Sequence, residues 1–508
     1  MLLLIFLVSR ILYHTHARVI IPLEQIRTNM ITTEERMMEG GTLILSDKEM
    51  MVDNIIRSIK HREIDQGYHN LTFYAPSLHF FNAKQLIEQS SIFDIIKVMP
   101  KGSVLHLHSS ASVSSNWIIK NLTYRIETEY CRDKNGLVLL TAGFHGNCID
   151  TPVNIVEKRK QMNNDQIQEF DQWLENQISL VTEKPEIEFS DTNVVWNAFN
   201  DKFDTIKGLQ TYLPFFKDYI YRMLEELYDD GILFAEIRTS FSQLYDKLGN
   251  RYDGVKTAGI MLDVVREFQR SHPDFIGLKA IFSVFRRSMK ITIESRIKIF
   301  IELQRAFPNF VVGFDFVGQE DLGIPLIEMK HFIETLPQDT NLYFHAGETN
   351  WWGTPTDFNI IDAILLNTTR IGHGYALLKH PIIWNTVLAK GIAIEVSVIS
   401  NQVLHLVKDL RNHPAAIYFA LNIPVVITND DPSFWGAIGV SYDWYYAFMA
   451  LAPANSGLRL LKQLALNSIK YSTLTWQERL RFNNIFNVKW DQFLDTIIRK
   501  YRYSMVGN

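Results

Sequence analysis

Cysteine is scarce in this chain, with two in 508 residues, which leaves no cysteine-rich, closed metal site of the structural kind. An excess of basic charge is missing as well: 51 Lys and Arg face 56 Asp and Glu, for a formal net charge of −5. No broad basic surface is available to offset phosphates, so a nucleic-acid partner is not expected. The N-terminal apolar run, Leu2 to Val8, falls far short of the roughly 20 residues that span a bilayer, so no stable membrane insertion is expected. Glycine-rich dinucleotide and P-loop fingerprints are absent. So are low-complexity tracts and tandem repeats.

A hydrophobic content of 47% and an aromatic content of 12% allow a large buried core, and the length leaves room for accessory regions around it. The short apolar leader reads as a signal peptide over residues 1–17, with cleavage near Ala17; an ordinary buried N-terminal element is the alternative. A secretory route suits the sequons at Asn70, Asn121 and Asn367, each of which could accept a glycan there. Cys131 and Cys148 share one loop-like stretch. In an oxidising compartment they would pair and stabilise that loop by about 3 kcal/mol; otherwise they are two free thiols.

Residues 18–100 read as a small helical module, with apolar residues at helical spacing such as Met51, Ile55, Ile56 and Ile59. From 101 to 508 the pattern changes to short β-branched or aromatic runs ending in polar residues. Eight such runs occur: 104–108, 232–240, 277–285, 311–318, 342–348, 369–374, 392–401 and 423–431. Most are separated by amphipathic segments long enough for one helix. That alternation predicts an α/β fold, a (β/α)₈ TIM barrel, with a doubly wound open sheet as the rival. The interval after the first run is too long for a simple crossover and predicts an insertion over about 115–190. Helices are expected at 442–451, 459–472 and 477–499.

His106 and His108 are one residue apart on a strand, so both rings face the same side and can grip one ion. The fifth run adds His345 and the eighth adds Asp430, both at strand ends on the same rim. Three imidazoles with one carboxylate suit a single catalytic zinc. Glu348 lies three residues past a presumed ligand and His373 sits between two glycines, so both can serve acid-base chemistry beside an activated water. A salt-bridged loop carboxylate is the plainer reading of Glu348. Gly318, at the end of the fourth run, could present a backbone N–H to a flat ligand. Trp196 and Phe203 are core aromatics unless the insertion folds over the barrel mouth.

The motifs HLH, HAGET, TRIGHG, ISNQVL and NDDP, in this order, resemble the adenosine deaminase family. NVVWNAF, FKDYIYRM, HPDFIGLK, VVGFDFVGQED, LNTTRIGHGYALLKHP and DLRNHP are similar to its secreted type-2 branch, the adenosine deaminase-related growth factors. The resemblance covers nearly all of the chain beyond the leader. It implies that His106, His108, His345 and Asp430 bind Zn²⁺, and that Glu348 protonates the purine ring at N1. It further implies that His373 orients the attacking hydroxide and takes its proton, while Asp431 and the Gly318 N–H hold the ring edge. Deamination of adenosine, and of 2′-deoxyadenosine, to inosine and ammonia would follow. The N-terminal module is implied to form a homodimer, and the insertion tied by Cys131 and Cys148 to bind a receptor or a glycosaminoglycan outside the cell. The Pro-Cys-x-x-Cys signature of cytidine-type deaminases is absent.

Two positions depart from the family pattern. Ser109 stands where an aspartate usually holds the ribose hydroxyl, and a neutral acceptor there should weaken ribose binding about tenfold. Phe285 stands where a histidine usually lies near the sugar, with Arg286 or Arg287 as possible substitutes. The sugar pocket is therefore expected to differ while the deamination machinery stays intact. An amidohydrolase for a different amine, or a growth factor on a scaffold barrel, are the competing readings.

Overall fold

The computed structural model describes residues 22–143 and 146–501. The expected signal peptide and its cleavage site lie outside the described residues. Two four-stranded parallel sheets form the centre. The first holds β1 (Gly102–His108), β2 (Ile232–Thr239), β3 (Gly277–Phe285) and β4 (Val311–Val317) in that spatial order. The second holds β5 (His345–Ala346), β6 (Arg370–His373), β7 (Ala393–Val396) and β8 (Val425–Ile427). Each strand falls within or close to one of the eight runs, and their near-continuous burial is what a sheet covered on both faces demands.

Backbone bridges join the outer edges of the two sheets. At one seam the His108 N–H donates to the Asp430 carbonyl at 2.9 Å and the Asp430 N–H to the His106 carbonyl at 3.2 Å. At the other the Phe314 N–H donates to the Asn341 carbonyl and the Tyr343 N–H to the Phe314 carbonyl, both at 3.0 Å.

Helices Gly254–Ser271 and Lys290–Ala306 link β2 to β3 and β3 to β4, and Pro381–Lys390 links β6 to β7. Helix Leu458–Lys470, one of the three expected at the C-terminus, packs on β1 and β8.

The run 392–401 is not one strand. Its extended part ends at Val396, and Val398–Val403 is a helix although Val398, Ile399 and Val403 are β-branched. The carboxylate of Asp443 accepts the Ile399 N–H at 3.0 Å and so satisfies an orphan donor of the helix's first turn. Propensity yields here to a tertiary contact.

The N-terminal module is helical as expected. Helix Asp47–His69 starts at a capping box, in which Ser46 and Glu49 each satisfy the other's backbone N–H. Ile55, Ile56 and Ile59 face the core, but Met51 is half exposed and lies on the solvent side. Glu49 reaches across to Lys462 and to the Trp490 indole N–H, which fastens this helix to the C-terminal helices. Helix Leu23–Met37, by contrast, has no buried residue.

Between β1 and β2 lies the long insertion, with a small antiparallel sheet of Thr128–Arg132, Val138–Ala142 and Val153–Asn154. Cys131 and Cys148 form a disulfide there, with Cα atoms 5.7 Å apart. Helix Thr192–Gln210 packs on strand Val138–Ala142, so closely that a Cβ at Gly208 would sit 2.3 Å from the Leu140 carbonyl oxygen. Among the described residues, no helix is long and apolar enough to cross a membrane.

Candidate active site

The C-terminal ends of the strands converge on one cavity of about 680 Å³. From β1, His108 lines its floor, and His106, on the same face by the two-residue strand period, is fully buried beside it. His345 opens β5, and Asp430 follows β8. The ligand-type atoms of these four residues all lie within 4.8 Å of one another. The Nε2 atoms of His106 and His108 stand 3.3 and 3.1 Å from Asp430 Oδ1. Among the described residues, His106 Nε2 and Asp430 Oδ1 are buried without any hydrogen-bond partner, a costly arrangement unless a further group satisfies them. Three imidazoles, one carboxylate and no thiolate suit a divalent ion such as zinc.

Each buried imidazole is aimed from behind. Glu395 Oε2 accepts from His106 Nδ1 at 2.9 Å, and Asp315 Oδ2 from His345 Nδ1 at 2.7 Å. With the proton held on Nδ1, each ring turns its Nε2 lone pair toward the cluster. Arg238 bridges Asp315 and Glu395, and Arg370 bridges Glu236 and Glu395. Burial pushes the Glu395 carboxyl up, but Arg238 and Arg370 outweigh it and hold the group well below the usual carboxylate range. Gly372 eases this packing: a Cβ there would meet His345 Cα at 3.2 Å and the His106 ring at 3.3 Å.

Glu348 and His373 complete the floor, with His373 Nε2 lying 3.6 Å from Glu348 Oε1 and 4.0 Å from Asp430 Oδ2. The Glu320 carboxylate clamps the Glu348 loop by accepting the N–H groups of Gly347 and Glu348. Burial raises the Glu348 carboxyl well above its ordinary value, and the nearby Asp430 and Glu320 charges add to the effect. Its Oε1 has no hydrogen-bond partner among the described residues. His373 and Asp430 both adopt positive φ, +62° and +56°, and such strain persists only where surroundings over-determine it. Ser400 supports the second by donating to Asp430 Oδ2 at 2.7 Å.

Asp431, Gly318, Trp196, Phe203 and Ser109 line the same cavity. Asp431 is buried with Oδ1 unpartnered among the described residues, and Gly318 has φ +95° with the Phe285 ring against it. Trp196 and Phe203 come from helix Thr192–Gln210 and line the cavity while also packing with the core. Phe285 forms part of the wall at 40% exposure. Of the two arginines named as substitutes, Arg287 lines the cavity. Arg286 does not: it is fully buried and donates to the carbonyls of Phe316 and His345.

Comparison with known proteins settles the family. The family described as Adenosine deaminase matches residues 176–486, and Adenosine/AMP deaminase N-terminal matches residues 1–96. The chain belongs to the adenosine deaminase family. It is 40% identical to Adenosine deaminase 2 of Homo sapiens over 490 residues, covering 94% of each chain. It is 39% identical to Adenosine deaminase 2-A of Danio rerio, covering 92% of this chain and 93% of the relative. The fold is shared with a cog1816 amidohydrolase from Burkholderia ambifaria with bound Zn, at TM-score 0.55, 16% identity, and coverage of 81% and 96%.

For a family member, the residues that motif reading misses are the buried ion pairs beneath the floor. Glu236 and Arg238 on β2, Asp315 on β4, Arg370 on β6 and Glu395 on β7 are buried charges inside largely apolar strands. That is a legible signal, because a charge buried on a strand needs a partner from a neighbouring one.

Proposed function

We propose that this chain catalyses hydrolytic deamination of adenosine, and of 2′-deoxyadenosine, to inosine or deoxyinosine and ammonia. The observation that carries the reading is a cluster of three imidazoles and one carboxylate in which His106 Nε2 and Asp430 Oδ1 lack partners among the described residues, beside a buried Glu348 whose Oε1 is likewise unpartnered. The bridged edges of the two sheets support a closed (β/α)₈ barrel as the scaffold.

His106, His108, His345 and Asp430 would hold one zinc ion per chain. Zinc bound there supplies Lewis acidity that makes a water nucleophilic near neutral pH. His373 orients that water toward C6 of the purine. Glu348, kept protonated by its burial, delivers a proton to N1 so that the ring accepts the attack. Asp431 and the Gly318 N–H hold the ring edge, with Trp196 and Phe203 as walls. The water oxygen bonds to C6 and the C6–N bond breaks; one proton of the water leaves with the amine as ammonia and the other restores the Glu348 carboxyl.

The sugar end of the cavity is altered. Ser109 supplies a neutral hydroxyl in place of a carboxylate, so adenosine binds more weakly than with a charged acceptor. The reading as a whole is tested by metal analysis of the purified protein together with the ultraviolet change as adenosine becomes inosine. Turnover of a different amine without turnover of adenosine would contradict it.

The same proposal includes a secreted, glycosylated homodimer with growth-factor activity through adenosine depletion or receptor binding. Exposure of Asn70, Asn121 and Asn367 supports glycosylation, and the disulfide supports an oxidising compartment. The uncovered Leu23, Met30 and Met37 on helix Leu23–Met37 support dimerisation through the 18–100 module. The disulfide-tied insertion, about 115–190, is the proposed surface for a receptor or glycosaminoglycan.

A further inference from the structure

Behind His373 runs a chain of hydrogen bonds whose direction is fixed at its far end. The backbone N–H of Ala415 donates to Nδ1 of His413 at 3.1 Å. A backbone amide can only donate, so this Nδ1 accepts and carries no proton. Burial pushes the His413 imidazole down to about 3, so the ring is neutral and its single proton is on Nε2. That Nε2–H donates to Asn401 Oδ1 at 2.9 Å. With its oxygen committed to His413, the Asn401 amide turns its NH₂ group toward Nδ1 of His373, 3.3 Å away. His413 and Asn401 are both buried, so no bulk water can reset the sequence.

We infer that Asn401 and His413 are positioning residues that lock His373 as the Nε2–H tautomer, making it a hydrogen-bond donor to the reacting oxygen. A proton on Nδ1 of His373 would face the Asn401 NH₂, donor against donor. A proton on Nε2 points instead toward Glu348 Oε1 and Asp430 Oδ2, at 3.6 and 4.0 Å, and a carboxyl oxygen can accept whether the group is ionised or protonated. Neutral His373 therefore has no lone pair on the substrate side. It holds negative charge as it develops on the oxygen and does not remove that oxygen's proton, the role that family resemblance would assign it. Nothing in the run ISNQVL marks Asn401 for this task; it reaches Nδ1 only because Val398–Val403 is a helix.

The inference rests on the deaminase reading for its catalytic consequence but not for the tautomer. ¹⁵N-histidine NMR of the zinc-loaded protein, with the His373 signals assigned by their loss in His373→Gln, is expected to show a pyridine-type Nδ1 and a pyrrole-type Nε2. Asn401→Asp replaces the amide donor by an acceptor of the same shape. It is expected to move the proton to Nδ1 and to lower kcat by about tenfold or more with little change in KM. A protonated Nδ1 in the unaltered protein overturns the inference, whether or not the variant folds. So does a folded Asn401→Asp variant with unchanged kcat. If adenosine is not turned over at all, the spectrum still decides the tautomer while the deaminase reading fails.

Discussion

The carboxylate of Glu320 accepts the backbone N–H of Glu348 at 2.6 Å and that of Gly347 at 3.0 Å. One buried acid thus fixes the loop that carries another, and its negative charge helps keep Glu348 protonated.

That raised carboxyl sets the sign of a pH effect. Glu348 must be protonated to act on the purine ring, and its protonated form persists until pH climbs through its elevated value. The kcat/KM for adenosine should therefore fall as pH rises through that value. Glu348→Gln should lose about 10² to 10⁴-fold in kcat, and whatever activity remains should lack this limb. A pH profile on both proteins checks it; an unchanged limb in the variant would assign the titration elsewhere.

Ser109 lines the cavity beside the zinc-type cluster. Restoring a carboxylate with Ser109→Asp should raise kcat/KM for adenosine about tenfold, through KM. Steady-state kinetics on adenosine and 2′-deoxyadenosine decide. No gain on adenosine would show that Ser109 does not meet the sugar.

Asp315 orients His345 from behind. Asp315→Asn should weaken zinc affinity about 10 to 100-fold while leaving the four proposed ligands in place. Competition with a metallochromic chelator measures it, and unchanged affinity would mean that His345 is held by packing alone.

Much of the site was legible along the chain because strand geometry is local. His106 and His108 share a face by the two-residue period, and His345, His373 and Asp430 sit where apolar runs end. What stayed hidden depends on partners distant in sequence. The strand read through Asn401 stops at Val396 because Asp443 captures the Ile399 N–H. Met51 fits the apolar spacing of its helix but falls beyond the covered arc. Arg286 and Arg287 are neighbours of the same type, and only packing sends one into the core and the other to the cavity.

The disulfide closes a loop in the insertion, joining Cys131 and Cys148 at a sequence separation of 17. Replacing both by serine should cost about 3 kcal/mol in the chain-entropy picture and leave kcat of the folded protein unchanged. Denaturant midpoints with and without reductant provide the check. Loss of activity at unaltered stability would instead tie the insertion to catalysis.

The most direct trial of the central claim is to titrate zinc into chelator-stripped protein while following adenosine-to-inosine conversion. Activity should rise in proportion to added metal and level off at about one ion per chain. Full deamination by the metal-free protein, or no deamination with that ion bound, would contradict the account.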